Sequence, residues 1–251
     1  MLFRSSPGGP VLVVVHGSMD RQGSFDRLVR RLPEVHVLGF DRRGYAGSHD
    51  VPGPYGIDSH VEDLVAVLGT LDAPAIGLVG HSFGGVVALA TAARRPDLVD
   101  GLVIYESPMS WEPWWSQNSG GSQALRSADE PEQAAETFMR RFLGDRRWER
   151  LPESTRHRRR REGVVLVQEL ASLRLGRPYD FTDLRCPVVV GCGSRAAEHM
   201  RKGSELLANE CSFTPLVVLD GAHHNAHRAE PDRFADLLVR PLLRRMEQEI
   251  G

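Results

Sequence analysis

Six short apolar runs, separated by stretches of helical periodicity, constrain this chain more than any other feature. They fall at residues 11–15, 35–40, 75–79, 101–105, 187–191 and 216–219. In Val11-Leu12-Val13-Val14-Val15 no polar residue alternates with the apolar ones, so such a strand needs cover on both faces. Helical patterns lie between the runs at 25–32, 57–71, 83–95, 196–209 and 232–249, with Pro231 suited to the first turn of the last. This alternation predicts an α/β fold: a mostly parallel sheet of about six main strands wrapped by helices. A further short edge strand at 2–4 would extend it.

The alternation breaks once, between residues 107 and 185. That segment has no central strand pattern, and its helical periodicity concentrates near 132–142 and 156–173. A structureless loop of that length does not fit a compact domain. The expectation is a helical cap at 109–181, inserted into a core made of 1–108 and 182–251. A chain of 251 residues buries enough surface to hold such a core without disulfides or metal.

Composition removes several function classes. Lys+Arg 31 against Asp+Glu 33 leaves a formal charge of −2, so no global field points to nucleic acid or an anionic membrane. The arginine-rich stretch at 156–161 is flanked by Glu149, Glu153 and Glu162 and has no interleaved aromatics, which reads as a solvated helix face. No apolar run reaches the length of a membrane span. Cys186, Cys192 and Cys211 are too few and too irregular for a disulfide framework or zinc site, and the first ten residues lack a signal-peptide core. A cytoplasmic location is expected, with no nucleic-acid or membrane partner. Composition is silent on oligomeric state.

The sharpest local motif is Gly80-His81-Ser82-Phe83-Gly84-Gly85, set between an apolar run and a helical one. That context fits a nucleophile elbow, in which a serine on a strained strand-to-helix turn is exposed above the sheet. The flanking glycines suit the crowding such a turn creates. His16-Gly17-Ser18 closes the first strand, and from this loop the backbone N–H of Ser18, with that of Phe83, could form an oxyanion hole. Met19 is the neighbouring donor, and His16 reads as structural. Late in the chain, Gly221-Ala222-His223-His224-Asn225-Ala226-His227 offers three histidines as a proton carrier, with a metal site as the competing reading.

These motifs, together with Asp41-Arg42-Arg43-Gly44-Tyr45-Ala46-Gly47-Ser48, resemble the α/β-hydrolase superfamily in its serine-nucleophile, cap-bearing branch. The likeness is close from residue 11 to about 105, looser from 187 onward, and absent from the cap. It implies an α/β-hydrolase fold with the cap inserted after the sixth family strand. It also puts the base on His224, and it makes 41–48 a structural turn without a catalytic role. The family's usual acid position, counted from Gly193, falls on Ala196, which has no carboxylate. Some members place the acid after the preceding strand, where this chain has Glu106; Glu198 and Asp220 are the alternatives.

The resemblance thus implies a Ser82–His224–Glu106 triad acting on an ester-type carbonyl in a small molecule, with no metal and no cofactor. A thioesterase, amidase, carbon–carbon bond hydrolase or acyltransferase would use the same triad, and a non-catalytic ligand-binding member stays open because Ala196 breaks the pattern. Met19, His81, Trp111, Trp114 and Trp115 are the candidate pocket residues, the three tryptophans reading equally well as core of the cap. Cys192 reads as a small buried hydrophobe.

Overall fold

The computed structural model describes residues 9–250; the expected edge strand at 2–4 lies outside them. Six strands form one sheet: β1 (Val11–Val15), β2 (His36–Gly39), β3 (Ile76–His81), β4 (Gly101–Tyr105), β5 (Val188–Gly193) and β6 (Val217–Leu219). Their order is β2-β1-β3-β4-β5-β6, and every pairing is parallel. In register, Val15 lies opposite Gly80, and His81 opposite Tyr105. The carboxyl ends of β1, β3 and β4 therefore finish side by side, where α/β sheets place their ligand sites.

The unbroken apolar strands are explained by the two cores they feed. On one face Val11, Val13, Val15, Leu78, Ile104, Val188 and Val190 pack beneath α1 (Ile57–Leu68) and α2 (Phe83–Arg94). On the other, Leu12, Val14, Val79, Val103 and Val189 meet Phe234, Leu238 and Leu242 of the carboxyl-terminal helical segment. Each fully buried Val or Leu contributes roughly 1.5–3 kcal/mol of transfer free energy. A polar residue at either phase would forfeit one such contact.

Between β4 and β5 come α3 (Gly120–Ala124), α4 (Pro131–Leu143), α5 (Glu153–Arg161) and α6 (Gly163–Ser172), with a short turn of helix at Asp145–Glu149. The helical pattern expected at 156–173 is thus two helices. The break comes where α6 crosses α4: a Cβ on Gly163 would lie 1.9 Å from the Pro131 carbonyl oxygen, so only glycine permits that approach. The helix expected at 25–32 is shorter, a 3-10 turn Gln22–Phe25 followed by Asp26–Val29. The one expected at 232–249 passes through a π-helical turn, Ala235–Val239, before Arg240–Ile250. Pro241 has no N–H to return to the carbonyl four residues back, and the ladder widens just ahead of it. After β5, α7 (Glu198–Cys211) leads to β6.

Candidate active site

β3 turns into α2 at Ser82, which adopts φ 53° and ψ −127°. Such a conformation costs a non-glycine residue about 1–3 kcal/mol and persists only where its surroundings fix it. Here the Ser82 N–H donates to the Tyr105 carbonyl at 3.0 Å, and the Gly85 N–H donates to the Ser82 carbonyl at 2.8 Å. Close packing demands the neighbouring glycine, since a Cβ on Gly84 would stand 2.2 Å from the Val15 carbonyl oxygen. Phe83 opens α2, where an N–H has no partner inside the helix.

Glu106 follows β4 directly, also at positive φ (46°), and is 1% exposed. Its Oε1 accepts the Gly193 N–H at 2.9 Å, and its Oε2 lies 2.7 Å from His224 Nδ1. A carboxylate only accepts, so Nδ1 carries the proton and the lone pair of neutral His224 sits on Nε2. The loop bearing His224 is pinned from several sides. Arg195 N–H donates to the Ala222 carbonyl at 3.1 Å, and Tyr105 Oη donates to the His223 carbonyl at 3.2 Å. His81 Nε2 donates to the carbonyl of His224 itself at 2.8 Å. Burial, and then the neighbouring His227 and His224, push the His81 imidazole far below its ordinary range, so it serves as a neutral donor.

Ser82, Phe83, Ser18, Glu106 and His224 line one cavity of about 390 Å³, and Trp115 stands on its wall. No hydrogen bond joins His224 to the Ser82 hydroxyl among the described residues in this arrangement. Met19 and His81 line a smaller adjoining cavity of about 110 Å³, which Ser82 and His224 also border. Trp111 and Trp114 depart from the expected pocket. Trp111 packs edge-on to Tyr179 and donates to Glu112, and Trp114 lies under the Lys202 ammonium and behind Trp115, so neither ring is in the cavity lining.

The other acids fall elsewhere. Glu198 is exposed at the start of α7, Asp220 is exposed and accepts from Ser194 Oγ, and Ala196 is on the cavity wall. Of the other late histidines, His223 is exposed beside Arg195. His227 is buried against Phe25 and, by burial first, is held down to about 3. Asp20, His81 and His227 are the one set of potential metal donors among the described residues, their atoms within 4.8 Å of one another. His81 Nε2 is already committed to the His224 carbonyl, and Ser24 Oγ bridges the other two, 3.3 Å from His227 Nε2 and donating to Asp20 Oδ2 at 2.8 Å.

Sequence reasoning missed a buried ionic hub beneath the His16–Ser18 loop. Glu169, on α6 and fully buried, pairs with Arg42 and accepts from Ser18 Oγ at 2.5 Å, Tyr45 Oη at 2.8 Å and His60 Nε2 at 3.0 Å. Arg42 in turn donates from Nε to the His16 carbonyl at 2.9 Å and from Nη2 to the Gly17 carbonyl at 3.0 Å. His16 Nε2 accepts the Arg42 N–H at 2.9 Å; burial, then Arg42, hold the ring down to about 3. Burial alone would raise the Glu169 carboxyl, but Arg42 and His60 outweigh it and hold it at about 2. The signal was present in the sequence as one acid inside the apolar run 164–170.

A parallel sheet with a strained serine after its third strand, and an imidazole–carboxylate pair on the same cavity, defines a class of hydrolase-type α/β proteins. The chain belongs to the alpha/beta hydrolase family, whose model matches residues 12–237. It is 35% identical over 104 residues to a serine hydrolase-like protein of Homo sapiens, covering 40% of this chain and 51% of that protein. Against lipase LipV of Mycobacterium tuberculosis it is 38% identical over 104 residues, 41% of this chain and 40% of that one. The match thus spans about half or less of the length of these two relatives. The putative carbamate hydrolase RutD of Rhizobium rhizogenes is 26% identical over 234 residues, 85% of each chain. Among solved structures, an esterase from Exiguobacterium antarcticum shares the fold at TM-score 0.75 and 19% identity, over 94% of this chain and 92% of that one. No helix of the described residues is long and apolar enough to cross a membrane.

Proposed function

We propose that this chain is a serine hydrolase that cleaves a small ester through an acyl-enzyme, with Ser82 as nucleophile, His224 as base and Glu106 as the orienting acid. The observation that carries this reading is the Glu106–His224 pair, 2.7 Å apart on the wall of the cavity that holds the elbow serine. Ser82 Oγ attacks the carbonyl carbon as His224 Nε2 takes its proton. The backbone N–H groups of Phe83 and Ser18 receive the developing oxyanion, and His224 returns the proton to the departing alcohol. Water, deprotonated by the same nitrogen, then releases the acid and restores Ser82. A rotation of the Ser82 or His224 side chain closes the hydrogen bond that is open here, as is common before substrate binds.

The helical segment at 109–181 acts in this reading as a cap over the cavity. The volume suits a small molecule. Thioesters, amides and carbamates pass through the same tetrahedral geometry, so the test begins with the mechanism. A fluorophosphonate should add once to the intact protein, on Ser82, and Ser82→Ala should lose both the adduct and p-nitrophenyl butyrate hydrolysis. A folded wild-type sample that takes no label and cleaves no activated ester would instead favour a ligand-binding member of the fold.

A further inference from the structure

The proposed chemistry leaves part of the cavity's charge unused. Much of the wall is apolar, with Trp115, Phe138, Leu170 and Met200 among its residues. Two arginines, both exposed, also line it: Arg141 from α4, in the helical segment, and Arg195 from the loop between β5 and α7, in the core. The Arg141 stem crosses Gly120, its Cδ 3.8 Å from where a Cβ would sit on that glycine. Among the described residues its guanidinium meets no carboxylate, whereas the adjacent Arg140 is paired with Glu136, Asp145 and Glu149. Arg195 donates from Nη1 to His223 Nε2 at 3.5 Å and likewise meets no carboxylate among the described residues.

One acid shares the wall with these two charges. Glu106 is the only acid in the lining among the described residues, and its two oxygens are taken by Gly193 and His224. His199, edge-on to Trp115 with ring centroids 4.6 Å apart, is pushed below the ordinary imidazole range by burial and then by the charge of Arg141. A concave, mostly apolar site in which cations outnumber acids concentrates anions.

We propose that the substrate carries a free carboxylate besides its scissile carbonyl, and that Arg141 and Arg195 bind it. This rests on the acyl-transfer reading above. The planar guanidinium fork matches a carboxylate with two parallel N–H···O bonds, a recognition that lysine or a neutral amide cannot reproduce. The two arginines reach the cavity from the helical segment and from the core, so a bound carboxylate would also bridge the two.

The experiment compares matched esters that differ only in charge. Mono-p-nitrophenyl esters of glutarate and adipate, against their methyl-capped counterparts, put the carboxylate on the acyl side. Acetoxybenzoate against its methyl ester puts it on the leaving group. In one of these arms the charged ester should have kcat/KM about tenfold higher, expressed in KM, equivalent to about 1.4 kcal/mol of binding. That preference should shrink at roughly 0.5 M salt, since both arginines are exposed to solvent. In an Arg141→Gln/Arg195→Gln double variant the ratio of charged to capped ester should fall to about one. Equal or better turnover of the capped esters in both arms overturns the proposal, as does a preference that survives the double substitution. If wild type fails on every ester, p-nitrophenyl butyrate included, the fault lies with the acyl-transfer reading. Calorimetric titration with glutarate then decides: binding that the double variant loses supports the anion site, and no binding refutes it.

Discussion

Glu106 is where the chemistry is most exposed to test. Its carboxylate fixes the His224 tautomer by accepting from Nδ1, and its other oxygen is held by the Gly193 N–H, so it can swing neither toward solvent nor toward Ser82. Glu106→Gln keeps the shape but offers an amide where, in the proposed mechanism, a charge stabilises imidazolium. We expect kcat to fall by about 10³–10⁴, with the far-ultraviolet dichroism unchanged. Glu198→Gln, exposed at the head of α7, should stay within about twofold of wild type. The opposite ranking would move the acid. At this scale the sequence was readable in proportion to how local the signal was. Ser82 announces itself in six consecutive residues, and His224 by its place in the late loop. Glu106 needed the count of residues from the elbow. Arg42 and Glu169, 127 residues apart, carry no local mark of their pairing, because what joins them is the placement of a helix that holds none of the motifs carrying the resemblance.

At the scale of elements, the strands' places along the chain follow from the apolar runs, but the division of the helical segment does not. The sequence predicts helix across 156–173 without marking a division; the break at Gly163 is set by a contact with α4. A methyl on Gly163 would meet the Pro131 carbonyl oxygen at 1.9 Å, and neither backbone can yield without parting the two helices. Gly163→Ala should therefore cost about 1–3 kcal/mol, read as a lower midpoint in urea. Gly23→Ala, whose nearest neighbour would be the Asp26 carboxylate at 3.9 Å, should change stability by less than about 0.5 kcal/mol. Because α4 carries Phe138, Arg141 and Phe142 into the cavity wall and α6 carries Leu170, the first substitution should also raise KM for p-nitrophenyl butyrate. A Gly163→Ala protein as stable as wild type would mean that the crossing can relax.

The molecule as a whole is joined through Arg42 and Glu169, which tie the sheet's first loop to the helical segment inside the protein. Glu169 sits at about 2 in the folded state against an ordinary value near 4.5, so its contribution is present above pH 4.5 and is lost as pH falls toward 2. Such a shift corresponds to about 3 kcal/mol. His16 and His227, kept neutral and held down to about 3, act with the same sign at higher pH: the unfolded chain takes protons below pH 6.5 that the folded one refuses. Glu169→Gln should accordingly be destabilised by about 3–5 kcal/mol at neutral pH, because Arg42 is left buried without its charge partner. Its deficit relative to wild type should narrow as the pH drops from 4.5 to 2, measured by urea unfolding across that range. Stability and activity should then part. Replacing both partners with apolar residues, Arg42→Met with Glu169→Leu, removes the orphaned charge and should recover much of the lost stability. It cannot restore the bonds that Arg42 gives to the His16 and Gly17 carbonyls or that Ser18 gives to Glu169, so the loop that offers the Ser18 N–H in the proposed mechanism loses its anchor. We expect kcat in the double variant to stay at least about tenfold below wild type while KM changes little, as when transition-state stabilisation alone is reduced. Recovery of kcat together with stability would show that the ion pair serves the fold alone.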